Sequence, residues 1–147
     1  MKPTSTLIAG HTQAEYYYWY TEQDPLSAAD PNYTIHVRDS PDYTDASFEL
    51  TAVDTECGRV RITWIGHHEN PRYMRKGIAP AVIAELGRLC GKPVISSKKY
   101  NPADPTDRRT DDADKVWRSL VDKKMAVYNQ SEDRFRYVGV HPASATL

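Results

Sequence analysis

The chain has 147 residues, of which 39% are hydrophobic and 27% are charged, a composition typical of one globular domain rather than a disordered segment. Its formal net charge of -1 provides no overall attraction to nucleic acid or to an anionic membrane. No apolar run approaches the ~18 residues that a membrane-spanning helix requires, and no signal peptide is recognisable at the start. We expect one cytoplasmic domain over residues 1–147, with a flexible tail at 139–147.

The first half of the chain predicts a strand, a helix and then three more strands. The first strand is expected at residues 4–9, and the helix at 11–22, where aromatic residues stand among polar ones that are compatible with a helix. Alternation of apolar and polar residues then predicts three strands separated by turn residues. These strands are expected at residues 33–37, 48–52 and 59–65. Because only turns separate them, they should form an antiparallel meander.

The second half predicts two helices and three further strands. Pro80 suits the first turn of a helix and Gly91 suits the position after its end, which places the first helix at residues 80–90. A second helix is expected to begin at a cap formed by Thr110 or Asp111. The remaining elements, a buried strand, a polar loop and a terminal hairpin, are expected at 93–96, 98–110 and 125–138. We therefore assign the chain to the α/β (α+β) class, with a mixed, mostly antiparallel sheet of about six to seven strands flanked by helices.

The segment between the third meander strand and the first of these helices is the most specific feature of the sequence. We call residues 70–80 the cradle loop; they read Asn-Pro-Arg-Tyr-Met-Arg-Lys-Gly-Ile-Ala-Pro. Gly77 lets the backbone approach a ligand, and the first N–H groups of the following helix lack acceptors and favour a phosphate. Arg75 and Lys76 add positive charge. The spacing excludes both common glycine-rich phosphate motifs, Gly-x-Gly-x-x-Gly and Gly-x4-Gly-Lys-Ser/Thr.

Four residues of the cradle loop match a known pattern, Pro-x-Tyr-Arg/Gln-x-x-Gly-x-Gly/Ala, in register; they are Pro71, Tyr73, Gly77 and Ala79. The loop therefore resembles the pyrophosphate loop of the Gcn5-related N-acetyltransferase (GNAT) family. Met74 is a departure, since the family normally has Arg or Gln there. The predicted order of elements over residues 4–138 also resembles the family, including small members from bacteria and their phages.

The resemblance implies that the chain transfers an acetyl group from acetyl-CoA, its co-substrate, directly to an amine. The cofactor-binding residues carried over from the family are Met74, Arg75, Lys76, Gly77, Ile78, Ala79 and Pro80. The pantetheine arm would lie between two splayed parallel strands, one after Arg59 and one around Val94. A backbone N–H of the earlier strand would polarise the thioester carbonyl. No metal site is expected.

An amine acceptor is protonated at neutral pH, so the reaction needs a base. Glu69, His68 and His67 are the candidate bases, with Glu69 and His68 assigned as catalytic, because a carboxylate can act as a base once burial disfavours its charge, and imidazole titrates near neutral pH. A solvent-exposed polar strand end is the alternative interpretation of the same residues. For the acid, the family often has a tyrosine on its last helix, where this chain has Trp117; Tyr100 and Tyr128 are possible substitutes.

Other features leave alternatives open. The aromatic run from Tyr16 to Tyr20 could line an acceptor pocket, pack in the core or contact a partner. The basic residues of the 98–110 loop could meet the 3′-phosphate of CoA or a nucleic acid, although its many aspartates favour a solvated mixed-charge loop. Met74 and Trp117 also fit a catalytically inactive GNAT-fold binding or structural protein. We expect a small-molecule or peptide amine acceptor as partner, allow for a homodimer, and expect no nucleic acid and no membrane.

Overall fold

The computed structural model describes residues 1–24, 30–44 and 46–139. Over these residues the chain forms eight strands and two α-helices. The strands are β1 (Ser5–Ala9), β2 (Ala14–Glu22), β3 (Tyr33–Arg38), β4 (Phe48–Asp54), β5 (Val60–Gly66), β6 (Val94–Ile95), β7 (Ala126–Asn129) and β8 (Arg134–Tyr137). The helices are α1 (Ile78–Cys90) and α2 (Asp111–Asp122). The α+β class is therefore confirmed, and most of the predicted tail, residues 140–147, lies outside the described residues.

All eight strands belong to one sheet, in the order β1-β2-β3-β4-β5-β6-β8-β7. The first five strands pair antiparallel in sequence, so the predicted meander is confirmed. β5 and β6 are parallel neighbours, and β7 and β8 form the predicted terminal hairpin. The sheet is larger than predicted because β2 takes the place of the first predicted helix.

The prediction of a helix at residues 11–22 is wrong. Residues 14–22 form β2, which lies between β1 and β3, with Tyr18 opposite both Ser5 and Val37. Bulky aromatic side chains fit the pleated surface of a sheet better than the crowded side of a helix. Tyr16 and Tyr18 belong to the hydrophobic core and Tyr20 packs against it, whereas Trp19 is buried outside the core cluster. Core packing therefore accounts for much of the aromatic run.

Both predicted helices are present, with boundaries set by their caps. α1 starts at Ile78 because Gly77, with φ 72°, interrupts the helical backbone, and it ends at Gly91, with φ 66°. Both glycines have left-handed backbone conformations that other residues seldom adopt. Thr110 caps α2 by accepting a hydrogen bond from the N–H of Ala113 at 3.1 Å. Within the described residues neither helix is long and apolar enough to cross a membrane.

Alternate residues of the meander belong to the hydrophobic core. In β3, Tyr33, Ile35 and Val37 are buried, whereas Thr34 and His36 between them are half-buried. The buried residues join the apolar sides of both helices in one cluster. His36 and its neighbour across the strands, Glu49, therefore lie on the more accessible face of the sheet.

Candidate active site

The sheet is weakly joined where its antiparallel meander meets β6. Among the described residues, β5 pairs with β6 only through Val60 with Val94 and Arg61 with Ile95; it stays paired with β4 as far as Gly66, but beyond Arg61 no strand lies against its other edge. The pairing of β4 with β5 also shifts register between Thr51 and Ala52. A strand that loses its neighbour in this way has backbone groups available to a ligand.

A cleft of about 370 Å³ opens beside the free end of β5. Its walls are the end of β5, residues 67–69, the cradle loop and the first turns of α2. The cleft brings the predicted catalytic residues Glu69 and His68 together with six of the seven predicted cofactor-binding residues, those from Arg75 to Pro80. Met74, the seventh, does not line it.

The cradle loop is anchored to the rest of the fold at its start. Asn70 caps a single 3-10 turn, Pro71–Tyr73, by accepting a hydrogen bond from Arg72 N at 3.1 Å. Arg72 also forms an ion pair with Asp39, which accepts a hydrogen bond from the buried Tyr73 hydroxyl at 3.4 Å. These contacts hold the start of the cradle loop against Asp39, the residue that follows β3.

The second part of the loop presents donors and positive charge. Within the described part of the chain, the N–H groups of Arg75, Lys76 and Gly77 have no backbone acceptor, and those of the first turn of α1 are unpaired by the geometry of a helix. The side chains of Arg75 and Lys76 are exposed, and no described residue forms an ion pair with either. Free amides at a helix N-terminus beside two cations can bind a phosphate.

Gly77 has a second reason to be glycine, which the sequence did not reveal. A Cβ at Gly77 would lie 2.6 Å from the Cα of Gly10, in the turn between β1 and β2. A Cβ at Gly10 would lie 2.4 Å from the carbonyl oxygen of Lys76. The expectation that Gly77 makes room for a ligand is therefore incomplete, since the absent side chain makes room for another backbone.

The turn after β5 carries the candidate bases. His68 and Glu69 both have left-handed backbones, with φ of 50° and 59°. The Glu69 side chain is exposed, while its N–H donates to Nδ1 of His67 at 3.0 Å. His68 Nε2 lies 3.0 Å from Glu49 Oε1, and its ring stacks on Trp64 with centroids 5.3 Å apart. The alternative of an exposed polar strand end fits Glu69 better than it fits His68.

The candidate acids from the sequence are not in the cleft. Tyr100 is exposed, and Tyr128 donates a hydrogen bond to Asp133 at 2.9 Å; neither lines the cleft. Trp117 is buried against Phe135, with ring centroids 5.9 Å apart. The tyrosine that does line the cleft is Tyr73, which the family pattern contained but which sequence reasoning did not consider as an acid.

The favoured interpretation of residues 98–110 as a solvated loop is wrong for Arg109. Its guanidinium is buried, pairs with Asp114 at 2.9 Å and donates to the carbonyl oxygen of Ser97 at 2.6 Å. Burial opposes the ionisation of Asp114, but hydrogen bonds from Arg118 and Arg109 outweigh it and lower the pKa of that carboxyl. Arg109 is thus a structural cation and is not available to a phosphate.

Comparison with known proteins does not assign the chain to a family. No protein-family model matches the chain, and no curated protein matches it significantly. Among the described residues there is also no group of three or more His, Cys, Asp or Glu side chains placed to hold a metal ion. Function is therefore inferred from the cleft and its chemistry.

Proposed function

We propose that the chain is a GNAT-type N-acetyltransferase that transfers an acetyl group from acetyl-CoA to an amine by direct attack. One observation carries the proposal. The cleft joins a helix N-terminus suited to an anion to the end of a strand, β5, whose parallel neighbour stops early. An elongated ligand with a phosphate at one end and a reactive group at the other needs both features in one cleft.

The residues present fit the pyrophosphate of acetyl-CoA. Backbone N–H groups from Arg75 to Ala79 would hold it, and the exposed side chains of Arg75 and Lys76 would supply opposite charge. Met74 does not line the cleft, so its difference from the family's Arg or Gln leaves the backbone donors unaffected. Binding through main-chain amides tolerates such a substitution better than binding through side chains.

Acetyl-CoA supplies an acyl group already activated as a thioester. The chain's own residues provide the rest: N–H groups at the β6-facing edge of β5 polarise a carbonyl oxygen, and the turn with His68 and Glu69 removes a proton from the amine. Tyr73 contributes to the wall of the cleft, but its hydroxyl donates to Asp39, so the proton that the sulfur takes up comes from the acceptor nitrogen. The acceptor is a small molecule or peptide with a primary amine. Two free cysteines, Cys57 and Cys90, support a cytoplasmic setting.

A second function is a binding or structural protein on the same fold, without catalysis. Trp117 favours it, because the indole occupies the helix position where the family often has its tyrosine acid and is packed on Phe135 in the core. A protein of this kind would keep the cleft for its shape and bind no thioester. The two functions differ in their response to acetyl-CoA.

Isothermal titration with acetyl-CoA, using free CoA as control, tests the proposal. We expect micromolar binding of both compounds, because the pyrophosphate is common to them. Thiol release is then followed with spermidine, a lysine-containing peptide and a peptide with a free N-terminus as acceptors. No binding at millimolar acetyl-CoA would leave the second function, and binding without thiol release from any acceptor would point to a site that has lost its chemistry.

A further inference from the structure

One carboxylate on the accessible face of the sheet contacts two imidazoles. Glu49, in β4, pairs across the strands with His36 in β3 and with Gly66 in β5. Its Oε1 lies 3.0 Å from Nε2 of His68, and its Oε2 lies 3.6 Å from Nε2 of His36. The Glu49 side chain is 24% exposed, so these contacts are partly shielded from water.

The backbone brings His68 back onto this carboxylate. The positive φ values of His68 and Glu69 reverse the chain just after β5 ends, a conformation that costs energy in residues other than glycine. The His68 ring then stacks on Trp64 at an interplanar angle of 27°. Trp64 lies over Gly66, where a Cβ would be 3.0 Å from the indole Cζ2. The stacking and the hydrogen bond together offset this strain and hold the His68 imidazole in one place.

We infer that Glu49 and His68 act as a pair in which His68 is the base for the amine acceptor and Glu49 is its positioning residue. The inference rests on the proposed function and selects His68 among the candidate bases. A carboxylate that accepts a hydrogen bond from Nε2–H fixes the neutral tautomer whose Nδ1 carries the free lone pair. No described residue bonds to Nδ1 of His68, and His68 lines the cleft. Both side chains are exposed, His68 to 50%, but only His68 has a carboxylate partner and a stacked ring; the Glu69 side chain has no hydrogen bond to any described residue.

The proposed step transfers one acetyl group from sulfur to nitrogen. Nδ1 of His68 takes one proton from the ammonium group of the acceptor, and the Glu49 carboxylate stabilises the imidazolium that results. The freed nitrogen lone pair attacks the thioester carbonyl carbon, so a C–N bond forms, the C–S bond breaks and the sulfur leaves with the bonding electron pair. The attacking nitrogen still carries two protons; it loses one of them as the C–S bond breaks, and that proton ends on the leaving sulfur. The products are an amide, CoA as its thiol and the His68 imidazolium.

The test is a double-mutant cycle with Glu49→Ala and His68→Ala, read as thiol release from acetyl-CoA with spermidine, or with whichever of the two peptides the wild type acetylates. We expect His68→Ala to lower kcat about 100-fold and Glu49→Ala about 10-fold, with acetyl-CoA affinity unchanged. Because Glu49 acts through His68, the double variant should lose no more than His68→Ala alone. His36→Ala is the matched control: it removes the other imidazole from Glu49 and should leave kcat within about twofold of the wild type.

A second readout does not depend on turnover. Nitrogen NMR of the 15N-histidine-labelled chain should show His68 as the Nε2–H tautomer in the wild type and a mixture in Glu49→Ala. Three results would each overturn the Glu49–His68 pair. They are a loss of kcat in the double variant equal to the product of the two single losses, a normal kcat in His68→Ala, and the same His68 tautomer with and without Glu49. If acetyl-CoA does not bind at all, the proposed function fails and the base role with it. If it binds normally and only the cycle fails, the proposed function stands and this inference alone is rejected.

Discussion

Arg134 donates two hydrogen bonds to Asp107, from Nη1 to Oδ1 at 2.7 Å and from Nη2 to Oδ2 at 2.6 Å. Oδ1 of Asp107 also lies 3.3 Å from Nη1 of Arg61 and accepts a hydrogen bond from Lys98 N at 3.0 Å. The pair therefore ties the loop after β6 to β8 on one side and to β5 on the other. The last residue of this loop, Thr110, lines the cleft.

We expect this pair to make the protein sensitive to acid. Burial disfavours the charged form of Asp107, but hydrogen bonds from Arg134 and Lys98 outweigh it and lower the pKa. A carboxyl with a lowered pKa in the folded state binds protons first when unfolded. Its contribution to the free energy of unfolding is complete above about pH 4, near the unfolded pKa, and is lost as the pH falls through the folded pKa. Urea denaturation from pH 7 to pH 2 measures the loss.

Asp107→Asn should cost about 3 kcal/mol at pH 7, because it leaves buried guanidinium groups without their charge partner. It should also reduce the further loss of stability in acid. Asp112→Asn is the control, since Asp112 is exposed at the start of α2, and its substitution should change stability by no more than about 0.5 kcal/mol. Equal effects from the two substitutions would contradict a structural role for the Asp107 pair.

The contact between Gly10 and Gly77 predicts that each glycine is required for the fold. Gly77→Ala should cost about 3 kcal/mol, the sum of a left-handed alanine and the displacement of the Gly10 backbone. Gly58 provides the control, because its φ is 74° but a Cβ there would meet nothing within 4 Å. Gly58→Ala should therefore cost only about 1 kcal/mol, from its backbone alone. Chemical denaturation compares the two, and a cost at Gly77 no larger than at Gly58 would exclude the contact.

The charges of the cradle loop should matter for acetyl-CoA and not for stability. The double substitution of Arg75 and Lys76 by Glu places two negative charges beside the pyrophosphate and should weaken binding at least 30-fold, about 2 kcal/mol. Titration calorimetry at low salt measures the change, and unchanged melting shows that the fold persists. Lys2→Glu, before β1 and at the opposite end of that strand from Gly10, is the charge control and should leave the affinity as it is. If Lys2→Glu weakens acetyl-CoA binding equally, the affinity depends on the overall charge of the protein and not on the charges of the cradle loop.

Glu69→Gly separates strain from catalysis. Glycine adopts a φ of 59° without steric cost, so the variant should be more stable than the wild type by about 0.5–1 kcal/mol after the entropy of the unfolded glycine is subtracted. Thiol release should stay within about threefold, because the base is His68. A 100-fold loss of kcat in a folded Glu69→Gly variant would instead make Glu69 the base. Glu69→Gln, which keeps the strained backbone, distinguishes loss of the carboxylate from a change in the turn.

The parts of the fold that depend on local signals could be predicted from the sequence. Turn residues and alternation gave β3, β4 and β5, and capping residues such as Thr110 and Gly91 located both helices. The helix predicted for the aromatic run is wrong because this segment forms a strand through pairing with β1 and β3. That pairing involves residues distant in sequence, about which local patterning carries no information.

Only those parts of the site that are contiguous in sequence could be predicted. The cradle loop and the neighbouring turn with His68 and Glu69 are contiguous in sequence, and the structure places them in one cleft. Contacts between distant segments were not predictable. Glu49 lies 19 positions before His68, and Arg109 pairs with Asp133 from the terminal hairpin. Nothing in the composition of either segment indicates its partner.

The two-residue strand β6 has a mechanical consequence. The meander on one side and the β7–β8 hairpin on the other each have extended ladders, but only Val94 and Ile95 join them through β6. A ligand lying along the end of β5 also contacts α2, which packs against β7, and so links the meander to the hairpin beside this junction. Occupancy of the cleft should therefore act as a brace: the amides around β6 should exchange with deuterium more slowly when the cleft is filled, while those in the middle of the meander should not change.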